Sequence, residues 1–175
     1  IHEPEPDSNR IFNGRTTYGK GAYVLRMLKW KMGDAAFYEM LKAYTTAPQF
    51  ANGYAKTADF ITFVNTFSGQ NYTEFFNDWV YGEGYPTYTV RWKPGASIIT
   101  FKISQTQSHS SVNFYEMLLP IKVVGANGQS LDLVLNNTSN NQYFINAVGF
   151  PVTAVYFNQD LHILTKNSTV IKDNS

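Results

Sequence analysis

The chain contains few residues that could bind a catalytic metal ion. A zinc peptidase helix carries H-E-x-x-H, which places two imidazole rings one helical turn apart. His2 and Glu3 begin such a motif, but the second histidine is replaced by Pro6, whose ring would also interrupt the helix. The remaining histidines, His109 and His162, lie far apart, and the sequence has no cysteine. The residues by themselves therefore predict no metal site.

A second candidate is a tyrosine near the start of a helical pattern. Tyr18 lies in the segment T-T-Y-G-K-G-A, from Thr16 to Ala22, where a loop leads into a helix. Its glycines permit close approach of the backbone, and the N-terminal end of a helix is electropositive. A phenol in such a place could donate a hydrogen bond to a developing oxyanion, which is worth roughly 10²–10³ in rate. The ring could instead pack on neighbouring helices, and spacing by itself favours that interpretation.

Other motifs for ligand binding are weak or missing. The sequence contains neither G-x-G-x-x-G nor G-x-x-x-x-G-K-[ST], so it predicts no phosphate-binding loop. Five aromatic residues of the second half could form a stacking platform for a carbohydrate: Tyr88, Trp92, Phe101, Phe114 and Tyr115. Filling the core between two sheets is the interpretation that their placement favours, because aromatic side chains bury large areas.

Length, composition and charge exclude several classes of protein. With 175 residues, 43% of them hydrophobic, the chain is long enough and apolar enough to bury a core. A net charge of +1 gives no electrostatic reason to expect a nucleic acid partner. No run of 18 apolar residues occurs, so no transmembrane segment is predicted. Because charged residues are scarce and Asn, Ser, Thr and Tyr are plentiful, the composition favours an exported protein.

Helical spacing of apolar residues predicts the elements that carry Tyr18. Four short helices are expected before Gly84: from about Thr17 to Met32, from Ala35 to Tyr44, and two more starting at Thr57 and Asn71. Asp34, Thr57 and Asn71 are the expected N-terminal caps, and Gly33, Gly69 and Gly82 or Gly84 the expected ends. In the first helix, one broad apolar face is predicted from Tyr18, Ala22, Leu25, Met27, Leu28 and Met32.

After Gly84 the pattern changes to short alternating segments. Six strands are predicted, over residues 87–93, 98–105, 114–124, 130–135, 142–145 and 152–157. The Asn127-Gly128 pair indicates a hairpin, and Pro120 is expected only near a sheet edge or a bulge. The fold class predicted is therefore α+β. A small helical bundle over residues 1–84 is followed by an antiparallel β-sandwich over residues 85–175.

Six short segments follow one another along the predicted helical half and the residues directly after it. They are Thr17-Tyr18-Gly19-Lys20-Gly21-Ala22, Gly33-Asp34 with Phe37, Thr57-Ala58-Asp59-Phe60, Ser68-Gly69, Phe75-Phe76-Asn77-Asp78-Trp79-Val80 and Gly84-Tyr85-Pro86. In this order they resemble the aminopeptidase N family of zinc metallopeptidases, the gluzincins related to membrane alanyl aminopeptidase. The second half resembles the family more loosely, through residues 90–92, 105–107 and Asp160.

The resemblance implies a role for each half of the chain. Residues 1–84 correspond to the last helices of a thermolysin-like catalytic domain, and residues 85–175 to the β-sandwich that follows it. In the Y-x-K-G segment of the family, the tyrosine stabilises the tetrahedral intermediate, and that role falls on Tyr18. Position 19 is glycine here, where many members carry glutamate.

The family's zinc ligands have no counterpart in this sequence. Its H-E-x-x-H motif, the downstream glutamate ligand and the G-x-M-E-N segment would all precede Ile1. The resemblance thus implies a C-terminal part of a zinc aminopeptidase. We expect zinc and a peptide substrate for the full-length protein, and no zinc in this piece, which would be inactive alone. Its expected partner is the upstream catalytic domain of the same chain.

A non-catalytic role is the alternative function. The chain could come from a relative that has lost its zinc ligands, and it would then be a scaffold or a module that binds a glycan or a protein. In that case exposed aromatic residues of the β-sandwich would form the binding surface, with Trp92 and Tyr115 as the residues to test.

Overall fold

A change from helices to strands divides the chain between Glu83 and Gly84. The structure is a computed structural model that describes residues 8–173, apart from the side chain of Arg10. In this part of the chain the first unit is helical and the second is built from strands. The predicted α+β class is therefore confirmed.

Five α-helices and two π-helical segments make up the helical unit within the described residues. They are α1 (Ser8–Ile11), π1 (Gly14–Gly19), α2 (Lys20–Met32), α3 (Asp34–Thr46), α4 (Thr57–Ser68), α5 (Thr73–Phe76) and π2 (Asn77–Tyr81). Gly33 and Gly69 follow α2 and α4 with φ of +86° and +66°. These values favour glycine, which has no Cβ to clash with the preceding turn, and so these two helices end where the sequence predicts.

The apolar face of α2 differs from the predicted one. Its buried residues are Val24, Met27 and Leu28, whereas Ala22 and Leu25 are exposed. Ala22 and Leu25 lie inside α2 itself, off the stripe that Val24, Met27 and Leu28 form at 3.6 residues per turn, so the predicted face was too broad. The other core residues of the unit come from α3, α4, α5 with the residue before it, and π2: Phe37, Met40, Val64, Tyr72, Phe75, Phe76 and Trp79.

The predicted N-terminal caps are partly wrong. Asp34 is the first residue of α3, and its carboxylate pairs with Lys29 at 2.9 Å instead of capping the helix. At α4, Asp59 accepts a hydrogen bond of 2.8 Å from the Lys56 backbone N–H, and Thr57 is the first helical residue. The Asn71 side chain accepts from the Thr73 N–H at 3.0 Å, just before α5. All three helices still begin close to the predicted positions.

Seven strands form two sheets in the second unit. They are β1 (Pro86–Pro94), β2 (Ile98–Gln107), β3 (Met117–Gly125), β4 (Ser130–Asn137), β5 (Gln142–Ala147), β6 (Val152–Phe157) and β7 (Thr169–Lys172). One sheet has the order β5-β2-β1-β7 and the other β4-β3-β6. The six predicted strands are present. The seventh, β7, was missed, and it pairs with β1 in parallel, so the unit is not purely antiparallel.

Both sheets bury one face. Alternate residues of β1, β2 and β3 are buried, and the rings of Tyr88 on β1 and Phe157 on β6 meet across the sheets with centroids 5.4 Å apart. Pro120 lies in the central strand β3, not at the predicted edge. The strand tolerates it because pairing with β6 begins only at Ile121, and the Pro120 carbonyl accepts from the Asn158 N–H at 3.0 Å.

Candidate functional site

Tyr18 lies in a wide helical turn whose start is fixed by Asn13. The Asn13 side-chain oxygen accepts hydrogen bonds from the backbone N–H groups of Arg15 and Thr16, both at 3.0 Å. The Asn13 carbonyl accepts from the N–H groups of Thr17 at 3.0 Å and Tyr18 at 3.4 Å. Asparagine suits this position, since its short side chain reaches the otherwise unpaired donors of a first turn. The segment from Gly14 to Gly19 is thereby held as π1.

The position of Tyr18 corrects one step of the sequence argument. Helical geometry begins at Gly14, so Tyr18 lies in the second turn and not in the first. Its backbone N–H already donates to Asn13, and the electropositive end of the helix is formed by earlier residues. The Tyr18 side chain is 59% exposed, so burial holds little of its ring.

A lysine two residues after Tyr18 connects π1 and α2 to a distant part of the helical unit. The Lys20 side-chain nitrogen donates to the Gly82 carbonyl at 3.1 Å, across 62 residues of sequence. Gly82 is buried and directly follows π2, and its own N–H donates to the Asn77 carbonyl at 2.7 Å. Sequence reasoning missed both Asn13 and this contact of Lys20. The Asn13-Gly14 pair was a signal for the first, and nothing local signals the second.

Gly19 allows the backbone to pass close to the start of π1. A Cβ atom added there would lie 3.2 Å from the Gly14 carbonyl oxygen, closer than ordinary van der Waals contact. The backbone of Gly19 is ordinary right-handed helix, with φ of −64° and ψ of −49°. A larger residue at position 19 is therefore compatible with the local fold after a small shift of the turn.

The histidines are not brought together. His109 is exposed in the loop after β2, where its Nδ1 lies 2.9 Å from the Ser111 hydroxyl and accepts from the Ser111 N–H at 3.2 Å. His162 lies 3.9 Å from the Asp160 carboxylate. Across residues 8–173, no three His, Asp or Glu side chains are grouped so that they could hold a metal ion. His2 and Glu3 lie outside the described residues.

The aromatic residues considered for carbohydrate stacking are mostly inside the second unit. Tyr88, Phe101 and Tyr115 are fully buried, Trp92 is nearly so, and Phe114 is half-buried. Rings buried in a core cannot stack on a sugar, so a glycan platform built from Trp92 and Tyr115 is wrong. In the described part of this unit, the exposed aromatic residues are Tyr143 and Tyr156.

A groove of about 430 Å³ with a mainly apolar lining runs beside α2, α3 and the start of α4. Leu25, Leu41, Tyr44 and Phe60 contribute apolar surface, and Lys56 lies at its margin. The exposure of Leu25, predicted to face the core, follows from this groove. Within residues 8–173, no helix is both long and apolar enough to cross a membrane.

The helical unit also matches a family of known proteins. Residues 2–79 match the model of the Peptidase family M1 domain. Over these residues the chain is similar to peptidase family M1. Among curated relatives, it is 30% identical to "Probable aminopeptidase 2" of Sulfurisphaera tokodaii over 89 residues. It is 35% identical to "Aminopeptidase M1-A" of Oryza sativa subsp. japonica over 95 residues.

The chain is short compared with these relatives. The two alignments cover 51% and 54% of this chain but only 11% and 10% of the relatives. A crystal structure of aminopeptidase A from Legionella pneumophila, in complex with aspartic acid, matches 94% of this chain and 18% of its own, with a TM-score of 0.63 at 15% identity. At this identity the match concerns the fold, and it extends through both units.

Proposed function

We propose that this chain is part of a zinc-dependent aminopeptidase that removes N-terminal residues from peptides. The observation that carries the proposal is the M1 match over residues 2–79, which contains the Y-x-K-G segment with Tyr18. The M1 family is zinc-dependent in general. The described residues do not contain a group that fits a zinc ion, so the proposal places the ligands in the upstream catalytic domain of the full-length protein.

In this proposal Tyr18 stabilises the oxyanion. Attack on a peptide carbonyl turns its oxygen into an anion, and a phenol O–H aimed at that oxygen donates a hydrogen bond that strengthens as charge develops. The exposed ring leaves the hydroxyl accessible, as this role requires.

The finer properties of the full-length protein are also proposals. Its substrate would be a peptide with a free N-terminus, and its closest partner the upstream catalytic domain of the same chain. We further propose an exported protein, on the scarcity of charged residues, and no nucleic acid partner, on a net charge of +1. The 175 residues alone are proposed to be inactive, because H-E-x-x-H is missing from their sequence.

The test is Tyr18→Phe in the full-length protein, assayed on peptides of increasing length. We expect kcat to fall by about 10²–10³ with KM nearly unchanged, since a hydrogen bond made only in the transition state is lost. Tyr38→Phe is the matched control, because Tyr38 belongs to the same unit and is also 59% exposed. A Tyr18→Phe enzyme with full kcat would remove Tyr18 from the mechanism.

If the unmodified full-length protein shows no peptidase activity, the result concerns the aminopeptidase proposal and not the role of Tyr18. If the upstream region is present and its zinc ligands are replaced, the aminopeptidase proposal fails as a whole. The non-catalytic scaffold or binding module then becomes the better description of the chain, with a surface other than the buried Trp92 and Tyr115.

A further inference from the structure

The orientation of the Tyr18 side chain depends on contacts made elsewhere, because the ring itself is little packed. A ring exposed to 59% has few neighbours to restrict it, and its direction therefore depends on the backbone that carries it. That backbone is π1, a geometry that is rare and less favourable than an α-helix. Asn13 holds the start of π1 through two side-chain hydrogen bonds. The C-terminal end of π1 needs a contact of its own.

Lys20 holds the C-terminal end of π1. It is the residue at which π1 passes into α2, and its backbone N–H donates to the carbonyls of Arg15 and Thr17. Its side chain is half-buried and reaches the Gly82 carbonyl at 3.1 Å. One residue thus closes the π turn with its backbone and joins it to π2 with its side chain.

The acceptor is well suited to an ammonium group. Gly82 follows the last turn of the helical stretch from Thr73 to Tyr81, where carbonyl groups lack partners within the helix. This end of a helix is also electronegative, so a lysine side chain is favourable there for both reasons. Because Gly82 is buried, water has limited access to its carbonyl, and the contact with Lys20 is correspondingly important.

We propose that Lys20 is a positioning residue for Tyr18. Its hydrogen bond to the Gly82 carbonyl preserves the π-helical conformation of π1 and thereby keeps the Tyr18 phenol in one orientation. The inference rests on the proposed role of Tyr18 and extends it to a residue that does not touch the substrate. A displacement of about 1 Å in a catalytic group is enough to cost up to 10² in rate, so a single distant hydrogen bond has a measurable effect.

The test is a double-mutant cycle in the full-length protein with Lys20→Met, Tyr18→Phe and both together. Methionine keeps the length of the side chain and removes the donor. We expect Lys20→Met to lower kcat on the order of tenfold with KM changed less than about twofold. In the Tyr18→Phe background it should have almost no further effect, because there is no phenol left to position. Lys20→Arg, which keeps a charged donor, should restore most of the activity.

A second readout separates positioning from general stability. A phosphinic peptide inhibitor resembles the tetrahedral intermediate, so its inhibition constant should rise in Lys20→Met by the same factor by which kcat/KM falls. An inhibition constant does not depend on the fraction of folded enzyme. Lys42→Met, at an exposed lysine of α3, is the control and should change neither quantity.

The outcomes distinguish the two proposals. Full activity in Lys20→Met, or an equal loss in both backgrounds of the cycle, would overturn the role of Lys20 and leave that of Tyr18 standing. Full activity in Tyr18→Phe would overturn both. A loss in Lys20→Met with an unchanged inhibition constant would also reject positioning, since the tetrahedral species would then be bound as well as before.

Discussion

Replacing Tyr88 by phenylalanine should stabilise the second unit, although the residue lies in its core. Tyr88 is fully buried on β1, and its hydroxyl has no hydrogen-bond partner within the described residues. Burying a hydroxyl without a partner costs about 1–3 kcal/mol. Phenylalanine removes that cost and keeps the ring that meets Phe157 at 5.4 Å. We expect a gain of about 1 kcal/mol at pH 7, or roughly 4–8 °C in the midpoint of a unit of this size.

The same substitution should change how stability depends on pH. Burial, with a smaller contribution from Tyr115, raises the pKa of Tyr88 well above its ordinary value of 10.0. Above pH 10 the unfolded chain therefore loses this proton while the folded chain keeps it, and stability falls as pH rises. At pH 11, one unit above the ordinary value, the loss is on the order of 1 kcal/mol. Phenylalanine has no such loss, so its advantage should roughly double between pH 7 and pH 11.

Urea unfolding at pH 7 and pH 11, followed by far-ultraviolet circular dichroism, measures both effects. All other titrating groups are shared by the two chains and cancel in the difference. Tyr143→Phe is the control, because it makes the same change at an exposed position of the same unit and should shift stability by less than about 0.5 kcal/mol. If Tyr88→Phe destabilises the unit, or if its advantage is the same at both pH values, the reasoning from the buried hydroxyl is refuted.

Two further predictions concern the helical unit and the isolated chain. Asn65→Ala removes the acceptor of the Tyr72 N–H, at 2.8 Å, and the donor to the Thr73 hydroxyl, at 3.1 Å. It should cost about 1–2 kcal/mol in thermal unfolding, while Thr66→Ala, at the exposed next position, should be nearly neutral. The 175-residue chain, incubated with zinc and dialysed, should retain much less than one equivalent by mass spectrometry and hydrolyse no peptide. Stoichiometric zinc together with peptide hydrolysis would contradict the proposal that the ligands lie elsewhere.

Local sequence signals predicted those elements whose ends are set by local chemistry. Gly33 and Gly69 end helices because their backbones are left-handed, and the Asn127-Gly128 pair forms the predicted turn, with Gly128 at φ of +77°. The alternation of buried residues along β1 and β2 is equally local. In each case, a few neighbouring residues determine the conformation, and the sequence contains all of them.

The strand that was missed depends on distant residues. β7 has only four residues, most of them exposed, so it shows no apolar alternation. It forms because Thr169–Lys172 pairs in parallel with Thr89–Trp92, 80 residues earlier in the chain. Beyond its end, Asp173 binds Arg91 at 2.8 Å. Such pairing is a property of the assembled sheet, and no window of the sequence contains it.

The same distinction applies to the site. Tyr18 was singled out from its sequence context and was placed on a broad apolar face of the first helix. The buried stripe of α2 consists of Val24, Met27 and Leu28, and Tyr18 lies off it with an exposed ring. Among the contacts of the turn are local hydrogen bonds to Asn13 and a distant one from Lys20 to Gly82.

A tyrosine held in this way is suited to a reaction more than to packing. A packed ring gains its order from contacts that also restrict the approach of a ligand, whereas Tyr18 is exposed on a backbone that Asn13 and Lys20 help to hold. Preorganised donors stabilise developing charge without having to move, and a fixed backbone with an open side chain provides this. The less common π geometry is therefore consistent with function, since π turns are frequent at functional sites. Lys20, whose side chain contacts Gly82, is therefore the second residue to test after Tyr18.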